Sequence, residues 1–441
     1  MLISRIRGGC KVGFYGLGVS SIALLGHLPL EKCDITLRSD QAIDRSVIPN
    51  NLKIKRIFEK CASLCDIDEE ILIFSPSVRR DRAEFEEAKK RGVIFTSDAE
   101  LFFEENKKPL FAITGSDGKS TTATLTHLLL SASGLKSNLI GNIGKPFIEA
   151  DKKCDVYVAE LSSFMLQYST PKAKRGCVSN ITPNHLDWHT DLTEYKKTKI
   201  SLLNSSDEFV VSDENLDIEG AYGVISLEKN YRSLSDEYKA EIYITNENGY
   251  ISKNGKYLLN VEDIQRREKH NLKNLMMAIA MTDGYAGIDE IRSVAKSFKG
   301  LPHRCEKVMT VGNVEFINSS IDSTPARTVA TLTSLDREVV IILGGGSKGL
   351  DYTELVPTLM KYARQAIITG DNAGEIYRAI GKATKSEIIP DFEAAIRRGA
   401  TLAQSVGVLL LSPASTSYDR FKNYAERGEK FKAVLAKIYA I

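Results

Sequence analysis

The sequence predicts an α/β protein with three domains, and three observations lead to this prediction. The chain has 441 residues, which is about three times the size of a typical domain. Short apolar runs alternate with amphipathic stretches, as expected for parallel strands that are connected by helices. Glycine-rich loops directly follow several of the apolar runs, at the positions where α/β proteins bind phosphorylated ligands.

The composition is that of a globular protein, with 43% apolar and 26% charged residues and a formal net charge of +2. A nearly balanced charge does not indicate a nucleic-acid partner. The seven cysteines are scattered without the CxxC spacing of a metal site, so we expect reduced thiols. No apolar run reaches the roughly 18 residues of a membrane span. The N-terminus also lacks the apolar core of a signal peptide, and we expect a cytoplasmic protein without a membrane partner.

The first domain is predicted to cover residues 1–107, with strands at 12–15, 35–37, 71–74 and 93–96. The first strand is followed by Gly-Leu-Gly-Val-Ser-Ser at residues 16–21, a near match to the dinucleotide-binding fingerprint. The acidic residue that would bind the ribose of NAD is absent, and Arg38 ends the second strand instead. Arginine favours a phosphorylated ligand other than NAD, with a structural turn or a redox cofactor as the alternatives.

The second domain is predicted to cover residues 108–300 and begins with a short phosphate-binding loop between a strand at 110–114 and a helix at 123–131. The loop consists of Gly115, Ser116, Asp117, Gly118, Lys119, Ser120 and Thr121. Backbone N–H groups of such a loop surround phosphate oxygens, while its lysine binds the β and γ phosphates and its hydroxyls bind Mg2+. Ile113 takes the place of the first glycine of the longer P-loop, which indicates a subset of nucleotide enzymes.

Two further strands are predicted at 156–161 and 177–182, and each precedes a candidate site residue. Glu160 ends the first of them, where α/β proteins hold a metal that bridges phosphates, although a surface or capping role is the alternative. His185 follows the second, with an ordinary packed histidine as the alternative. Lys199 lies in a basic stretch that by sequence alone predicts a solvated helix face. A polar tract with hairpin-like turns at 204–255, a helix from about Asn271 and a linker at 300–304 complete the domain.

The third domain is predicted to cover residues 301–441, with strands at 339–343, 366–369 and 408–411. Residues 412–417, Ser-Pro-Ala-Ser-Thr-Ser, suit a site for a small polar substrate, although a helix N-cap explains them almost as well. Residues 344–349 are glycine-rich and include Lys348, which can bind an anion; a flexible turn is the alternative.

Taken together, these segments resemble the Mur ligases, which are ATP-dependent amide-forming enzymes of peptidoglycan synthesis. The likeness covers nearly the whole chain and is most specific at 115–122, 160–164, 270–274, 300–304, 344–351 and 411–428. The last of these segments resembles the family members that add D-glutamate. The Asp-Asn-Pro-Arg sequence of the diaminopimelate-adding members is absent.

The resemblance implies an N-terminal Rossmann-like domain for a UDP substrate, a central P-loop ATPase-like domain and a C-terminal Rossmann-like domain for the amino acid. It also implies the chemistry. The carboxylate of UDP-N-acetylmuramoyl-L-alanine attacks ATP to give an acyl phosphate, and the amine of D-glutamate then displaces phosphate. The implied cofactors are ATP, two Mg2+ ions and a carbamylated Lys199, and we expect a monomer.

The resemblance also assigns roles to individual residues. Catalysis is assigned to Lys119, Glu160, His185 and Lys199, and metal binding to Ser120, Glu160, His185 and the Lys199 carbamate. Besides the loop at 115–121, ATP is assigned Asn271, Arg304 and Asp322. The UDP substrate is assigned Val19, Ser20, Arg38, Ser77, Asn142 and His185. D-Glutamate is assigned Lys348, Ser417, Tyr424 and Thr324.

Two segments depart from the family pattern. Residues 318–325 replace the common Asn-Asp-Ser-Lys-Ala-Thr-Asn, so the acidic Asp322 is displaced by three positions and the lysine is missing. Ser77 stands where the family has glycine, beside the expected uracil pocket.

Two competing functions are a ligase with another acceptor, of the folylpolyglutamate type, and a non-catalytic sensor of a nucleotide or UDP-sugar. The glycine motif at 16–18 argues against the first, and the full set of charged site residues argues against the second.

Overall fold

The structure is a computed structural model that describes residues 2–62, 64–186, 188–215, 217–347 and 350–440. It contains three sheets, of five, nine and six strands. The first two sheets belong to one compact unit, Met1–Phe298, and the third belongs to a second unit, Lys299–Ile441. The prediction of an α/β protein is therefore confirmed. The predicted domain boundaries at 107/108 and 300/301 fall between these sheets and stay predictions.

The five-stranded sheet is parallel throughout and has a Rossmann-type strand order. Its elements are α1 (Leu2–Gly8), β1 (Lys11–Tyr15), α2 (Val19–His27), β2 (Asp34–Ser39), β3 (Ile54–Glu59), β4 (Ile71–Phe74), α3 (Ala83–Lys90), β5 (Ile94–Thr96) and α4 (Asp98–Glu105). The order is β3-β2-β1-β4-β5, with the chain reversing direction across the sheet between β1 and β4. In open α/β sheets this reversal creates a crevice at the carboxyl ends of the strands, where ligands bind.

The nine-stranded sheet places the phosphate-binding loop at its centre. Its elements are β6 (Leu110–Thr114), α5 (Lys119–Ala132), β7 (Ser137–Gly141), β8 (Val156–Glu160), α6 (Ser163–Leu166), β9 (Ala173–Val178), α7 (Leu192–Asn204), β10 (Ser206–Ser212), β11 (Gly223–Ser226), α8 (Tyr231–Glu237), β12 (Ile242–Glu247), β13 (Tyr250–Lys253), β14 (Lys256–Asn260), α9 (Lys269–Met281) and α10 (Ile288–Ser297). The order is β14-β13-β12-β11-β10-β9-β6-β8-β7, and only the β12–β13 and β13–β14 pairs are antiparallel.

The six-stranded sheet forms the core of the second unit. Its elements are β15 (Glu306–Val311), β16 (Val314–Asn318), α11 (Pro325–Leu335), β17 (Val339–Leu343), α12 (Val356–Tyr362), β18 (Ala363–Ile368), α13 (Ala373–Ile380), β19 (Lys385–Ile388), α14 (Phe392–Ala403), β20 (Val408–Leu411) and α15 (Tyr424–Tyr439). The order is β15-β16-β20-β17-β18-β19, in which β15 is antiparallel to its neighbour and the other pairs are parallel. Apolar clusters cover both faces of this sheet.

The central strands were predicted more accurately than the outer ones. The strands at 71–74, 110–114, 339–343 and 408–411 match the predicted bounds. Each of these four strands is buried along its whole length, so it is a continuous apolar run in the sequence. The polar tract at 204–255, which was predicted to contain hairpin-like turns but had no predicted strand bounds, contributes β10 to β13 to the large sheet. The segment predicted as a strand at 177–182 is β9, which begins earlier and ends at Val178.

Candidate functional site

The phosphate-binding loop has a backbone shape that only glycine adopts readily. Gly115 has φ +145° and Gly118 has φ +78°. A Cβ at Gly118 would lie 2.2 Å from Asn274 Oδ1. The first hydrogen bond of α5 runs from Thr122 N to Gly118 O, at 2.9 Å. The N–H groups of Lys119 to Thr121 therefore precede the helical ladder and are the natural donors for phosphate oxygens at this helix N-terminus.

Three residues from other elements fix the loop, and the sequence did not single them out as site residues. Asn180 Oδ1 accepts hydrogen bonds from Ser116 N at 3.1 Å and from Asp117 N at 2.7 Å. Asn274 Oδ1 accepts from Thr122 Oγ1 at 3.3 Å, and Tyr195 OH lies 2.9 Å from Ser116 Oγ. Because Asn180 already occupies the N–H groups of Ser116 and Asp117, phosphate contacts fall to the later residues of the loop.

Lys199 is buried beside the phosphate-binding loop, so the prediction of a solvated helix face is wrong. Lys199 lies on α7 and is 1% exposed. The Nζ atom donates a hydrogen bond to Gly115 O at 2.7 Å and lies 4.5 Å from the centre of the Tyr195 ring. Burial, followed by the positive charge of Lys119, lowers the pKa of Lys199 from 10.5 to about 6, while Glu160 opposes the shift. The amine is therefore neutral at pH 7.

Lys119 points back over its own loop. Its Nζ donates a hydrogen bond to Ser116 O at 2.6 Å. This position keeps the ammonium group at the mouth of the loop, where phosphate oxygens of a nucleotide bind. Ser120, the candidate metal ligand, is half-buried in the first turn of α5, and Thr121 is buried.

Glu160 combines burial with an unused carboxylate oxygen. It ends β8, lies beside Ile113 of β6 and is 1% exposed. Asn142 Nδ2 donates to Glu160 Oε1 at 2.9 Å. The other oxygen, Oε2, is buried and accepts no hydrogen bond from any residue that the structure describes. A buried carboxylate oxygen without a donor is costly, and a bound divalent cation would satisfy it.

The free oxygen of Glu160 therefore fits a metal ion, but other ligands are needed to complete the coordination. Within the described ranges, no group of three or more His, Cys, Asp or Glu side chains could hold a metal ion. Hydroxyl groups, the phosphate oxygens of a nucleotide and a lysine carbamate do not belong to these side-chain types. They are oxygen ligands of the kind that Mg2+ prefers.

His185 is exposed on the loop after β9 and has an uncommon backbone conformation, with φ +55°. Its ring packs against Phe164, with the ring centres 4.9 Å apart. The backbone O of His185 accepts hydrogen bonds from Trp188 N and His189 N, at 3.1 and 2.9 Å. A left-handed residue held in this way is locally strained, which is a frequent property of site residues.

The Arg38 side chain points into its own domain, and its place beside the uridine diphosphate stays a prediction. The residue is 0% exposed. Its guanidinium donates to Glu69 Oε1 at 2.8 Å, to Cys65 O at 2.6 Å and to Asp66 O at 2.7 Å. These acceptors fix the loop before β4, because a buried guanidinium needs a counter-charge and hydrogen-bond acceptors. The sequence placed arginine correctly at the strand end but gave no information on the direction of its side chain.

The other candidates for the UDP substrate lie at the carboxyl edge of the five-stranded sheet. Val19 is exposed and Ser20 is half-buried in the first turn of α2, and Ser77 is exposed after β4. Gly16, with φ +81°, would place a Cβ 2.9 Å from Ser75 Cβ. The turn after β1 and the loop after β4 are therefore in close contact, in the crevice expected for this strand order.

A bridge of side chains connects this crevice with the His185 loop. Trp188 Nε1 donates to Ser77 O at 2.8 Å. The guanidinium of Arg79 lies 5.1 Å from the centre of the Trp188 ring and hydrogen-bonds to Trp188 O and to Glu194. These contacts bring the edges of the five-stranded and nine-stranded sheets together within the first compact unit.

In the second unit, the Asp322 side chain points into the protein interior. It is buried, and its Oδ2 accepts hydrogen bonds from Ser412 Oγ at 2.7 Å and Thr331 Oγ1 at 2.8 Å. Burial raises the pKa of Asp322. Asp322 thereby joins the end of β20 to α11, and its predicted ribose contact stays a prediction. The resemblance suggested Asp322 as a site residue, whereas its contact with Ser412 joins positions 90 residues apart in the sequence.

The remaining candidates have mixed exposure. Ser417 is buried and its backbone O accepts from Phe421 N at 2.9 Å, whereas Tyr424 is 40% exposed at the start of α15. Thr324 is half-buried at the N-cap of α11, and Arg304 is half-buried. Asn271, in the first unit, is buried and donates to Glu268 Oε2 at 2.9 Å. Lys348 lies outside the described residues.

A buried arginine that the sequence did not single out connects the loops of the second unit. Arg427 of α15 donates to Thr416 O at 2.8 Å, to Ser415 O at 3.1 Å and to Ser320 O at 2.8 Å. These bonds fix the segment that carries Ser417.

None of the helices described for this chain is long and apolar enough to cross a membrane.

Comparisons with known proteins agree with this architecture. The Mur ligase middle domain matches residues 113–282, and the Mur ligase glutamate ligase domain matches residues 303–415. A UDP-N-acetylmuramoylalanine–D-glutamate ligase from Clostridium tetani is 34% identical and covers 97% of each chain. A relative of the same name from Clostridium novyi is 31% identical over 96% of each chain. A solved UDP-N-acetylmuramate–alanine ligase from Thermotoga maritima shares the fold, with TM-score 0.58, 17% identity and coverage of 98% of this chain and 99% of that one.

Proposed function

Because the chain belongs to the Mur ligase family, we propose that it is an ATP-dependent ligase that joins D-glutamate to UDP-N-acetylmuramoyl-L-alanine. Such a reaction makes a precursor of peptidoglycan and takes place in the cytoplasm. The observation that supports this proposal best is the buried pair of Glu160 and Lys199 beside the phosphate-binding loop. A carboxylate with an unsatisfied oxygen and a neutral amine there suit a phosphoryl-transfer site that holds a cation.

ATP is proposed to bind with its phosphates at the N-terminus of α5. The N–H groups of Gly118 to Thr121 would donate to phosphate oxygens, and the Lys119 ammonium would neutralise the β and γ phosphates. Asn274 would act indirectly, because its Oδ1 holds Thr122 in the first turn of α5. Asn271 and Arg304 are proposed to contact the nucleotide.

The Mg2+ ions would be held by Glu160, Ser120, His185 and a carbamate on Lys199. When bound, Mg2+ neutralises the negative charge that gathers on the phosphates and on the attacking carboxylate. Lys199 is suited to carbamylation because its amine is neutral and therefore nucleophilic toward CO2. The carbamate would convert a neutral nitrogen beside Gly115 into an anion.

The UDP substrate is proposed to bind in the crevice of the five-stranded sheet, with Val19, Ser20 and Ser77 beside the nucleotide. Asn142, which hydrogen-bonds to Glu160 at the carboxyl end of the nine-stranded sheet, is proposed to contact the muramoyl peptide. Trp188 and Arg79 link the two edges, which would hold the substrate carboxylate near the phosphates of ATP.

The reaction is proposed to take place in two steps. The carboxylate of the acceptor attacks the γ-phosphorus of ATP, giving an acyl phosphate and ADP. The amine of D-glutamate then attacks the acyl carbon, loses a proton, and the tetrahedral intermediate expels phosphate. D-Glutamate is proposed to bind through Ser417, Tyr424, Thr324 and Lys348, with Arg427 fixing the loop of Ser417 from behind.

Phosphate release tests this function. The purified protein receives ATP, Mg2+ and UDP-N-acetylmuramoyl-L-alanine, with D-glutamate, with L-glutamate or without an amino acid. We expect release with D-glutamate only, and we expect the matched variant Lys119→Ala to release none. Release with a different amino acid would retain the ligase chemistry and refute the specificity. No release under any condition, together with tight binding of the UDP-sugar, would favour a non-catalytic sensor.

A further inference from the structure

Two cysteines of the five-stranded sheet lie side by side. Cys10 directly precedes β1, and Cys33 directly precedes β2. The two strands are parallel neighbours, and their register begins with Lys11 beside Asp34. One residue earlier, the same register places Cys10 beside Cys33.

Contacts on both sides of the pair support this placement. After it, Asp34 N donates a hydrogen bond to Cys10 O at 3.1 Å. Before it, the chain at Gly9 passes so close to Lys32 that a Cβ on Gly9 would lie 2.9 Å from Lys32 O. The two segments therefore run together without a gap from Gly9 to Lys11.

Both side chains are on the same face of the sheet. Cys10 is buried in the apolar cluster that includes Ile6 and Leu24, and Cys33 packs against the same cluster. Neighbouring strands are about 4.8 Å apart, which is within the range of roughly 4.4–6.8 Å between the Cα atoms of a disulfide. The side chains thus have both the direction and the separation that a disulfide requires.

The two thiols differ in accessibility. Cys33 is partly exposed, and its Sγ donates a hydrogen bond to Ile6 O at 3.2 Å. Cys10 is buried, and burial together with the neighbouring Cys33 thiol raises its pKa to about 11. An external reagent therefore reaches Cys33 first, and Cys10 reacts second from inside the fold.

We propose that Cys10 and Cys33 form a reversible disulfide when the protein meets a low-molecular-weight disulfide such as oxidised glutathione. The Cys33 thiolate attacks one sulfur of oxidised glutathione, which forms a mixed disulfide and releases one glutathione thiolate. The Cys10 thiolate then attacks the Cys33 sulfur, forms the protein disulfide and releases the second glutathione. The two thiol protons pass to the released glutathiones, so the protein is oxidised by two electrons and the reagent is reduced by two.

The disulfide would be at the opposite end of β1 from the glycine turn at Gly16. The rate of the ligase reaction is therefore expected to be unchanged. The cross-link would close a loop of the unfolded chain, so the melting temperature of the oxidised protein is expected to rise by about 5 °C. The rise should disappear on reduction.

Peptide mapping tests the proposal on the unaltered chain. Reduced protein is incubated with oxidised glutathione, its remaining thiols are alkylated, and it is digested with trypsin. Cleavage after Arg7, Lys11, Lys32 and Arg38 releases Cys10 in the peptide 8–11 and Cys33 in the peptide 33–38. We expect the two peptides as one disulfide-linked species that dithiothreitol separates.

Two variants serve as controls. Cys65→Ser removes an exposed thiol from the same domain and should leave the linked species intact. Cys10→Ser should stop the reaction at a glutathione adduct on Cys33. The proposal is overturned if the oxidised unaltered chain yields both peptides alkylated. A Cys33 adduct that never converts, or a link from Cys33 to Cys65, would overturn it equally.

Discussion

Replacing the buried lysine beside the phosphate-binding loop should remove a carbamate, and the structure predicts its pH dependence. The pKa of Lys199 is lowered to about 6 by burial and by Lys119. At pH 7 the neutral fraction is then about 90%, compared with about 0.03% for a lysine of ordinary pKa. Burial thus increases the fraction of the amine that can react with CO2 by about 3000-fold.

Below pH 6 the amine becomes protonated, so the neutral fraction that can react with CO2 should fall about tenfold for each further pH unit. Because carbamylation also releases a proton, the carbamylated fraction should fall at least as steeply. The assay is NMR of protein equilibrated with carbon-13 bicarbonate, which reports the carbamate signal independently of activity. We expect the signal in the unaltered chain at pH 7.5, its loss at pH 5, and its absence in Lys199→Ala. The ligase activity of Lys199→Ala should fall at least about 100-fold if the carbamate supports a metal ion. A full signal in Lys199→Ala, or full activity of that variant without bicarbonate, would refute the reasoning.

Three further predictions follow from the same contacts. Glu160→Gln should lower kcat at least about 100-fold and raise the Mg2+ concentration needed for half-maximal rate, because a neutral amide is a weaker metal ligand. A Mg2+ titration that is unchanged in this variant would contradict the prediction. Gly118→Ala should raise the KM for ATP about tenfold, because a left-handed backbone costs alanine about 1–2 kcal/mol and the new Cβ meets Asn274. Steady-state kinetics measure this KM, and an unchanged value would count against the loop geometry. Glu69→Gln should lower the free energy of unfolding by about 3–5 kcal/mol in a urea titration, because it leaves the Arg38 charge buried without its partner. The KM for the UDP substrate should stay unchanged in that variant if Arg38 has only a structural role, whereas a large increase would support Arg38 as a direct ligand.

The sequence predicted the elements that are buried on both faces. Strands such as β6 and β17 are continuous apolar runs, so their bounds are visible in the sequence. The outer strands β13 and β14 are only partly buried and contain lysine and tyrosine, so their bounds are not visible as apolar runs. The strand order of the sheets depends on contacts between distant segments, which local periodicity does not contain.

The sequence predicted the position of some residues of the candidate site but not the direction of their side chains. Motif spacing located Gly115 to Thr121 and Glu160 correctly at one edge of the large sheet, because carboxyl ends of parallel strands meet there. The direction of long side chains was not predictable. The basic stretch around Lys199 predicted a solvated face, and only the resemblance assigned Lys199 to the site; its side chain faces the loop. Arg38 is turned into its own domain. Asn180 was missed because its role depends on β9 lying beside β6.

The central claim is that the carboxylate of the acceptor attacks the γ-phosphorus of ATP. The most direct measurement uses UDP-N-acetylmuramoyl-L-alanine with both carboxylate oxygens carrying a heavy-oxygen label, together with ATP, Mg2+ and D-glutamate. If an acyl phosphate forms, one labelled oxygen leaves with phosphate and the other remains in the new amide, so mass spectrometry should find one heavy oxygen in each released phosphate. Amide formation accompanied by unlabelled phosphate would contradict the account, because the acceptor carboxylate would then not have reacted with ATP.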